Sequence, residues 1–408
     1  MHLADVPLIL LLVGLAAYAV LGGADFGAGF WQLWGGAGDR DKAIRDHAHH
    51  AMGPVWETNH VWLIFVLVTC WTAYPTAFGS IASTLSVPLF IGGIGIIMRG
   101  TAYALRSGAE TAREERRIEF LFAGSSILTP FALGAVIGGI ASGRVPVGNA
   151  KGDLVTSWLN ETSIFIGVLA VATAAYLAAV YLAADAVRIG RPDLERAFRT
   201  RALVMGVVAG ALALGGLAIV HDDARMIWDG LTGGAGLGAV IVSGVAGLAT
   251  MLLVLRSRYE LARVTAAFAV AAIIAGWALA QRPDILPGLS VEDAAASHSA
   301  LVSVIVGVAL GAVFLLPSLA LLFSLFLRGR FDPHTVAPEP AEVAPPRSPR
   351  IPPQLGATAA ACLVVGGTLT FFFETRWAHI VGVSALLAFV GLGFVALASV
   401  VAAGDQGS

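Results

Sequence analysis

Long apolar runs recur along the whole of this chain and constrain its fold more than any other feature. A helix needs about 20 apolar residues to cross the hydrocarbon core of a bilayer. Only 13% of the 408 residues are charged, about half the share of an ordinary soluble domain. The fold class is therefore predicted to be an all-α polytopic membrane protein. Runs of sufficient length predict eleven transmembrane helices, near 7–33, 50–72, 79–98, 119–141, 162–185, 202–220, 233–255, 264–281, 300–327, 355–373 and 380–403.

The distribution of basic residues tests this count independently. The odd-numbered connections between the predicted helices hold 20 of the 25 Lys and Arg residues, and the even-numbered connections hold 5. Cytoplasmic connections of membrane proteins carry an excess of Lys and Arg. We therefore expect the odd connections in the cytoplasm and both chain termini outside. This orientation predicts a multi-pass protein of a cytoplasmic (inner) membrane.

A proline-rich segment divides the chain once. Eight prolines lie between Pro333 and Pro353, and such a segment favours an extended conformation over a helix. The sequence predicts a nine-helix membrane domain at 1–330, a cytoplasmic linker at 331–354 and an appended transmembrane hairpin at 355–408.

Composition and motifs exclude several function classes. The net charge of −2 gives no indication of a nucleic-acid partner. Cys70 and Cys362 both lie inside apolar runs, which argues against a disulfide framework or a cysteine metal site. Nucleotide-binding loops, zinc-protease motifs and nucleophile elbows are absent from the sequence. No metal site is predicted.

Three ionisable residues inside the predicted spans are candidates for function. Asp25 lies late in the first span within LGGADFGAGFW, and Glu57 and His60 lie early in the second within GPVWETNHVWLI. Such residues are costly at membrane depth and mark functional sites by default. Both segments lie toward the cytoplasmic side and are joined by a short connection, so we expect them to be close. A carboxylate beside an imidazole can pass protons.

Structural roles remain open for each of these residues. Asp25 can instead bond a neighbouring helix, and Glu57 can form an ion pair with an arginine such as Arg99. His60 fits a hydrogen-bonding partner better than a metal ligand. Residues Trp56, Asn59, Trp62 and Arg99 are predicted to support the cluster or to contact a partner subunit. The histidines of the first connection, His47, His49 and His50, are expected to be solvated.

Two motifs in this region resemble subunit II of the cytochrome bd-type quinol oxidases. The first span carries Gly23, Asp25, Gly27 and Gly29 in a G-x-D-x-G-x-G pattern. The second span carries a P-x-W-[DE]-x-N-x-V-W-L pattern. This second motif is the more specific of the two. Arg99 and Arg106, placed just past the third span, and RPDILPGLSVEDAAASHSAL are further similarities. The resemblance extends over about residues 5–330. The residues of the second motif are Pro54, Trp56, Glu57, Asn59, Val61, Trp62 and Leu63.

The resemblance implies a bacterial or archaeal respiratory complex that oxidises quinol and reduces dioxygen to water. It implies that haems b and d, or b alone, reside in a partner subunit I and that this chain holds no haem. Glu57, with Asp25 and His60 beside it, is then expected to belong to a proton route from the cytoplasm. Small single-helix accessory subunits, lipid and a structural quinone are further partners found in the family.

Two departures and two competing functions accompany this interpretation. Some members carry an acidic residue where Gly22 stands, and the hairpin at 355–408 extends beyond nine spans. We expect this hairpin to pack where other members use accessory subunits. A proton-coupled secondary transporter is the main alternative, although the internal repeats typical of transporters are not seen. A purely structural assembly subunit is the other.

Overall fold

The computed structural model describes residues 2–33, 39–50, 53–106, 111–327, 353–373 and 375–405, although the side chains of some residues in these ranges, among them 53–58, lie outside that description. The described chain is almost wholly helical. The first seven helices are α1 (Asp5–Leu33), α2 (Asp39–His50), α3 (Gly53–Ala73), α4 (Pro75–Thr84), α5 (Ser86–Arg106), α6 (Ala112–Ala141) and α7 (Glu161–Arg188). Next come α8 (Pro192–Asp223), α9 (Arg225–Leu231), α10 (Gly234–Leu255) and α11 (Tyr259–Gln281). The last elements are β1 (Asp284–Leu286), β2 (Leu289–Ser290), α12 (Val291–Ala294), α13 (His298–Leu327), α14 (Pro353–Phe372) and α15 (Arg376–Asp405).

Within the described ranges, nine helices are long and apolar enough to cross a membrane. They confirm an all-α polytopic membrane protein. Two shorter apolar helical stretches, Asn59–Ala73 and Gln354–Thr370, fall where the second and tenth spans were predicted. The count of eleven spans therefore remains a prediction at those two positions.

The chain forms two compact units, Met1–Arg330 and Phe331–Ser408. In the first unit α7 is the central helix, because it packs against α1, α6, α8 and α11. Alanine fills much of its surface, and its residues 174–180 are all buried. Small side chains let helices approach closely within a membrane. In the second unit α14 packs against α15.

Local sequence signals set the ends of the central helices. The side chain of Asn160 caps α7 by accepting a hydrogen bond from the backbone N–H of Ser163. At the other end Gly190 has a φ of 69°. The N–H of Arg191 donates to the carbonyl of Ala186 there, and the N–H of Gly190 donates to that of Val187. This pairing is a Schellman motif, which requires a residue that tolerates positive φ.

The predicted third span differs from the structure. The range 79–98 crosses a break at Leu85, where α4 ends, and the membrane-length helix is α5 at Ser86–Arg106. Pro88 lies in the first turn of α5, where a missing N–H breaks no helical hydrogen bond. The placement of Arg99 just past the span is therefore wrong, because α5 continues for seven residues beyond it.

The connection that contains RPDILPGLSVED folds against the start of the chain. Arg282 donates to Asp5 at 2.6 Å, and the hydroxyl of Tyr74 donates to the carbonyl of Ala4 at 2.5 Å. Ser290 caps α12 by accepting from the backbone N–H of Asp293. The Arg282–Asp5 contact holds the start of the β1–β2 hairpin beside the first turn of α1. The Tyr74–Ala4 contact joins the same end of the chain to the α3–α4 junction.

Gly27 marks the closest approach of α1 to α7 and gives a test of the packing. A Cβ at this position would overlap the backbone carbonyl of Ala174 and lie 2.7 Å from the Cβ of Ala178. We expect Gly27→Ala to destabilise the protein by about 1–3 kcal/mol, the usual range for overpacking. Thermal unfolding of the purified protein measures the change.

The matched control is Gly93→Ala in α5, where a Cβ would meet nothing within 4 Å. Because alanine has the higher helix propensity, this variant should be neutral or slightly more stable. Equal melting temperatures for both variants would contradict the close approach.

Candidate functional site

A buried ion pair joins α1 to α5. Nη2 of Arg99 donates to Oδ1 of Asp25 at 2.5 Å and to the backbone carbonyl of the same residue at 2.9 Å. The two side chains are only 1% and 2% exposed. An unpaired charge at this depth would be very costly, so each residue explains the presence of the other.

Aromatic rings and a hydroxyl complete the surroundings of the guanidinium. Arg99 lies over the ring of Phe122 at 4.1 Å and over that of Phe26 at 5.1 Å. Its Nη1 donates to the hydroxyl of Ser126 on α6, and that hydroxyl donates to the carbonyl of Phe122 at 2.6 Å. Arginine suits this site because its planar group stacks on rings while its edge donates hydrogen bonds.

Asn59 connects this pair to α3. Its amide Nδ2 donates to Oδ2 of Asp25 at 2.9 Å, and its Oδ1 lies in hydrogen-bond contact with Nδ1 of His60. Asn59 is fully buried and His60 is half-buried. The structure thus brings Asp25, Asn59 and His60 together as expected, with Arg99 as the fourth member.

With Asp25 ionised, the polar contacts favour one proton position on His60. An ionised carboxylate accepts hydrogen bonds and does not donate them, so the amide of Asn59 must turn its nitrogen toward Asp25. Its oxygen therefore faces His60, and Nδ1 of His60 carries the donated hydrogen. In the neutral ring Nε2 is then the basic nitrogen.

The glycines of the first-span motif make room for these contacts. A Cβ at Gly29 would overlap the hydroxyl of Ser126 and lie 2.9 Å from Nη1 of Arg99. A Cβ at Gly22 would lie 3.3 Å from the ring of Tyr18. The ring of Tyr18 therefore lies directly beside Gly22.

The remaining predicted residues of the second-span motif are Trp56, Glu57 and Trp62. The side chains of Trp56 and Glu57 lie outside the described residues, although the backbone of α3 includes both. Trp62 is half-buried, with its ring edge-to-face against Phe65 at 6.1 Å between centroids. Ser126 and Phe122 were not foreseen, because neither a lone serine nor a phenylalanine on a long apolar helix stands out in a sequence.

His47 is buried, so the expectation that it is solvated was wrong. Helix α2 packs against α1, α8 and α7, and His47 is only 7% exposed. Its Nε2 donates to the carbonyl of Leu182 at 3.0 Å, and Nδ1 lies 3.8 Å from Oδ2 of Asp185. The side chains of His49 and His50 lie outside the described residues.

The described helices hold few histidines inside the predicted spans that could ligate a haem iron. His60 is the one histidine of the described helices that lies inside a predicted span away from its ends. A haem with two axial histidines would need a second one opposite it. The histidines of the described residues therefore do not fit such a haem.

Comparison with known proteins identifies relatives of this chain. Residues 3–326 match the family model described as "Cytochrome bd terminal oxidase subunit II". A Bacillus subtilis protein named "Putative cytochrome bd menaquinol oxidase subunit II" is 26% identical over 222 residues, which are 52% of this chain and 61% of the relative. A second, the "Cytochrome bd ubiquinol oxidase subunit 2" of the same organism, is 25% identical over 40% of this chain and 48% of the relative. The aligned region thus spans about half to three fifths of these relatives.

The fold has a counterpart of known structure. The chain superposes on one from the structure of bd oxidase from Geobacillus thermodenitrificans with a TM-score of 0.63 and 22% sequence identity. The match covers 80% of this chain and 99% of the other. At this identity the match establishes a shared fold.

The Asp25–Arg99 pair leads to a prediction about stability. Asp25→Ala should destabilise the protein by about 3–5 kcal/mol, because it leaves the Arg99 charge buried and uncompensated. Asp25→Ala combined with Arg99→Met should recover part of that loss, since the second change removes the orphaned charge. Chemical denaturation of the three proteins measures the coupling.

Asp193→Asn is the matched control, because it breaks the exposed Asp193–Arg191 pair and should change stability little. If the two single aspartate changes had equal effects, or if the double change added fully, the two buried charges would not depend on each other.

His47 leads to a prediction about pH. Burial lowers the pKa of His47, and the nearby Leu182 carbonyl and Asp185 oppose this effect only in part. Below the ordinary histidine pKa of about 6.5, the unfolded chain binds a proton that the folded site resists. Stability should therefore fall as pH decreases from that value toward the lowered pKa.

Melting temperatures at neutral and mildly acidic pH test this sign. His47→Gln retains a donor for the Leu182 carbonyl but cannot titrate, so its stability should decline less on acidification. An equal decline in the wild type and in this variant would exclude His47 as the cause.

Proposed function

Because the chain belongs to the cytochrome bd terminal oxidase subunit II family, we propose that it is the haem-free subunit II of a respiratory quinol oxidase. The match of residues 3–326 to the family carries this proposal. The complex oxidises quinol and reduces dioxygen to water in the cytoplasmic membrane of a bacterium or archaeon. The transporter alternative has no comparable support.

The partner in this proposal is a haem-bearing subunit I. The named relatives are subunits of cytochrome bd oxidases, and the chain of similar fold comes from a bd oxidase. In this proposal the haems belong to subunit I, because the family of this chain is the second subunit of such oxidases. The quinol is oxidised by the complex as a whole, and this chain alone has no catalytic activity.

The proposed topology is eleven spans with both termini outside. The charge alternation supports it even after Arg99 is assigned to the interior of α5, because the third connection still carries Arg106, Arg113, Arg116 and Arg117. Helices α14 and α15 form the appended hairpin. In this proposal they take the place that accessory single-helix subunits occupy in other members.

This chain supplies part of a cytoplasmic proton route, in which Asp25 is a fixed charge. Both of its carboxylate oxygens accept hydrogen bonds, one from Arg99 and one from Asn59. The guanidinium of Arg99 compensates a negative charge on this carboxylate. Asp25 therefore orients the amide of Asn59 and is not itself the carrier.

His60 and Glu57 are the proposed carriers. In this proposal Nε2 is the basic atom of His60 and takes up a proton, while Nδ1 keeps its hydrogen bond to Asn59. Glu57 stands three residues earlier on α3, a spacing that places two side chains on one helix face. A proton can pass between a carboxylate and an imidazole so arranged, given a water or direct contact between them.

The first experiment isolates the complex through this chain. Its optical redox spectrum and quinol-driven oxygen uptake are recorded with and without the gene for subunit I. Haem bands and uptake that disappear together on that deletion support the oxidase. A haem-free preparation without oxygen uptake contradicts it.

Glu57→Gln then tests the proton route. Oxygen uptake should slow at least about tenfold, equivalent to roughly 1.4 kcal/mol in the barrier, while the haem bands remain. The control is Glu260→Gln, which removes an exposed acid in the first turn of α11 and should leave uptake unchanged. Unaltered uptake in Glu57→Gln would exclude Glu57 as a carrier.

A further inference from the structure

The guanidinium of Arg99 is only partly bonded by the residues that surround it. Its Nη1 and Nη2 donate to Ser126 and Asp25. Its Nε–H is buried and has no hydrogen-bond partner among the described residues. A buried donor without a partner is costly, and more so on a charged group. Buried polar groups of this kind are usually bonded to protein or to ordered water.

The hydroxyl of Tyr18 is a second buried polar group without a hydrogen bond to any described residue. Tyr18 is 7% exposed. Its Cε2 lies 3.3 Å from the position that a Cβ would take at Gly22, and Cε2 of Phe26 lies 3.6 Å from the same point. The ring of Tyr18 therefore runs along α1 toward Phe26, whose own ring faces the guanidinium. The charges of Asp25 and Arg99 both act on the Tyr18 hydroxyl, so this hydroxyl lies near the ion pair.

Helix α6 adds two more polar groups close to the same guanidinium. Thr129 is fully buried, and its hydroxyl also makes no hydrogen bond within the described part of the chain. It lies against Gly95 of α5, one turn before Arg99, and follows Ser126 by three residues. Pro130 lies inside α6 and has no N–H, so the carbonyl of Ser126 loses its usual helical donor. In membrane helices such carbonyls are satisfied by side chains or ordered water.

The four groups together define the chemistry of an occupant. They are one N–H donor, one carbonyl acceptor and two hydroxyls that can both donate and accept. The charge of Arg99 is already compensated by Asp25, so an anion is not required, and the same guanidinium repels a cation. The side chains are buried, so the occupant must be very small. Water is neutral, small and able to donate and accept, and a buried water makes about three hydrogen bonds.

We propose that ordered water binds between Arg99 and Tyr18, beside the ion pair of Asp25 and Arg99. This water accepts a hydrogen bond from Nε of Arg99 and is linked to the hydroxyl of Tyr18, with Thr129 and the carbonyl of Ser126 as further partners. It joins α1 to α5 and α6 by hydrogen bonds that supplement the ion pair. The site belongs to the helix bundle itself and does not depend on the proposed oxidase activity.

Electron cryo-microscopy of the full chain purified with its partner subunit tests the site directly, at a resolution that shows ordered water. We expect a density peak within hydrogen-bond distance of Nε of Arg99 that connects, directly or through a second peak, to the hydroxyl of Tyr18. The map of Tyr18→Phe should lose the peak nearest to the ring. The proposal is overturned by a map without a peak at Nε of Arg99, or with a side chain of the partner subunit in that place.

Thermal stability gives an independent readout, because a dry site and a hydrated site predict opposite signs. A buried hydroxyl that has no partner at all is destabilising, so its removal by Tyr18→Phe would raise the melting temperature. A hydroxyl that holds water for Arg99 is stabilising, and Tyr18→Phe should then lower the melting temperature of the complex by about 2 °C or more. An increase would contradict the proposal.

Tyr176→Phe is the matched control. Tyr176 is also 7% exposed, its hydroxyl likewise has no hydrogen bond to a described residue, and its ring packs against Gly206 of α8. Its replacement should leave the melting temperature unchanged or raise it. Equal decreases in the two tyrosine variants would overturn the proposal.

The link to Arg99 is tested by combining Tyr18→Phe with Asp25→Ala and Arg99→Met. This background lacks the Nε donor, so Tyr18→Phe should no longer lower the melting temperature there. A decrease as large as that in the wild-type background would show that Tyr18 acts without Arg99 and would contradict the site.

Discussion

The ion pair between Asp25 and Arg99 is the interaction on which the rest of the bundle depends. It joins α1 to α5 directly, and it reaches α3 through Asn59 and α6 through Ser126. A buried pair adds little net stability compared with apolar packing, but losing one partner is severely destabilising. Its main effect is therefore to fix the register of four helices, so that the amide of Asn59 and the ring of His60 have a single arrangement.

Helix α1 also connects this pair to α7, because the indole N–H of Trp31 donates to the carbonyl of Ala175. Asp25 and Trp31 are six residues apart on α1, a rise of about 9 Å along a helix. Because Gly27 and Gly29 have no side chains, α7 can approach α1 at Gly27. The side chains of Arg99 and Ser126 can approach α1 at Gly29. The same helix therefore holds a charged core contact and a close contact with α7.

The sequence predicted the helices because long apolar runs and alternating basic connections are local signals. It also predicted that Asp25, Asn59 and His60 would be neighbours, since two short-range motifs and a short connection bring them together. It misplaced Arg99, because a charged residue at the end of an apolar run looks like a boundary, while its burial depends on a carboxylate 74 positions away. The prediction that His47 is solvated was wrong for a related reason. Residues of α7 bury this side chain, and no local sequence pattern reveals that contact.

The most direct test of this account is a redox-induced infrared difference spectrum of the purified complex, recorded for the wild type, Asp25→Asn and Glu57→Gln. If Asp25 is a fixed charge and the proton resides on Glu57 and His60, a protonated-carboxyl signal should vanish in Glu57→Gln and persist in Asp25→Asn. A signal that survives in Glu57→Gln and is lost in Asp25→Asn would show that the carboxylate paired with Arg99 carries the proton, and would contradict the account.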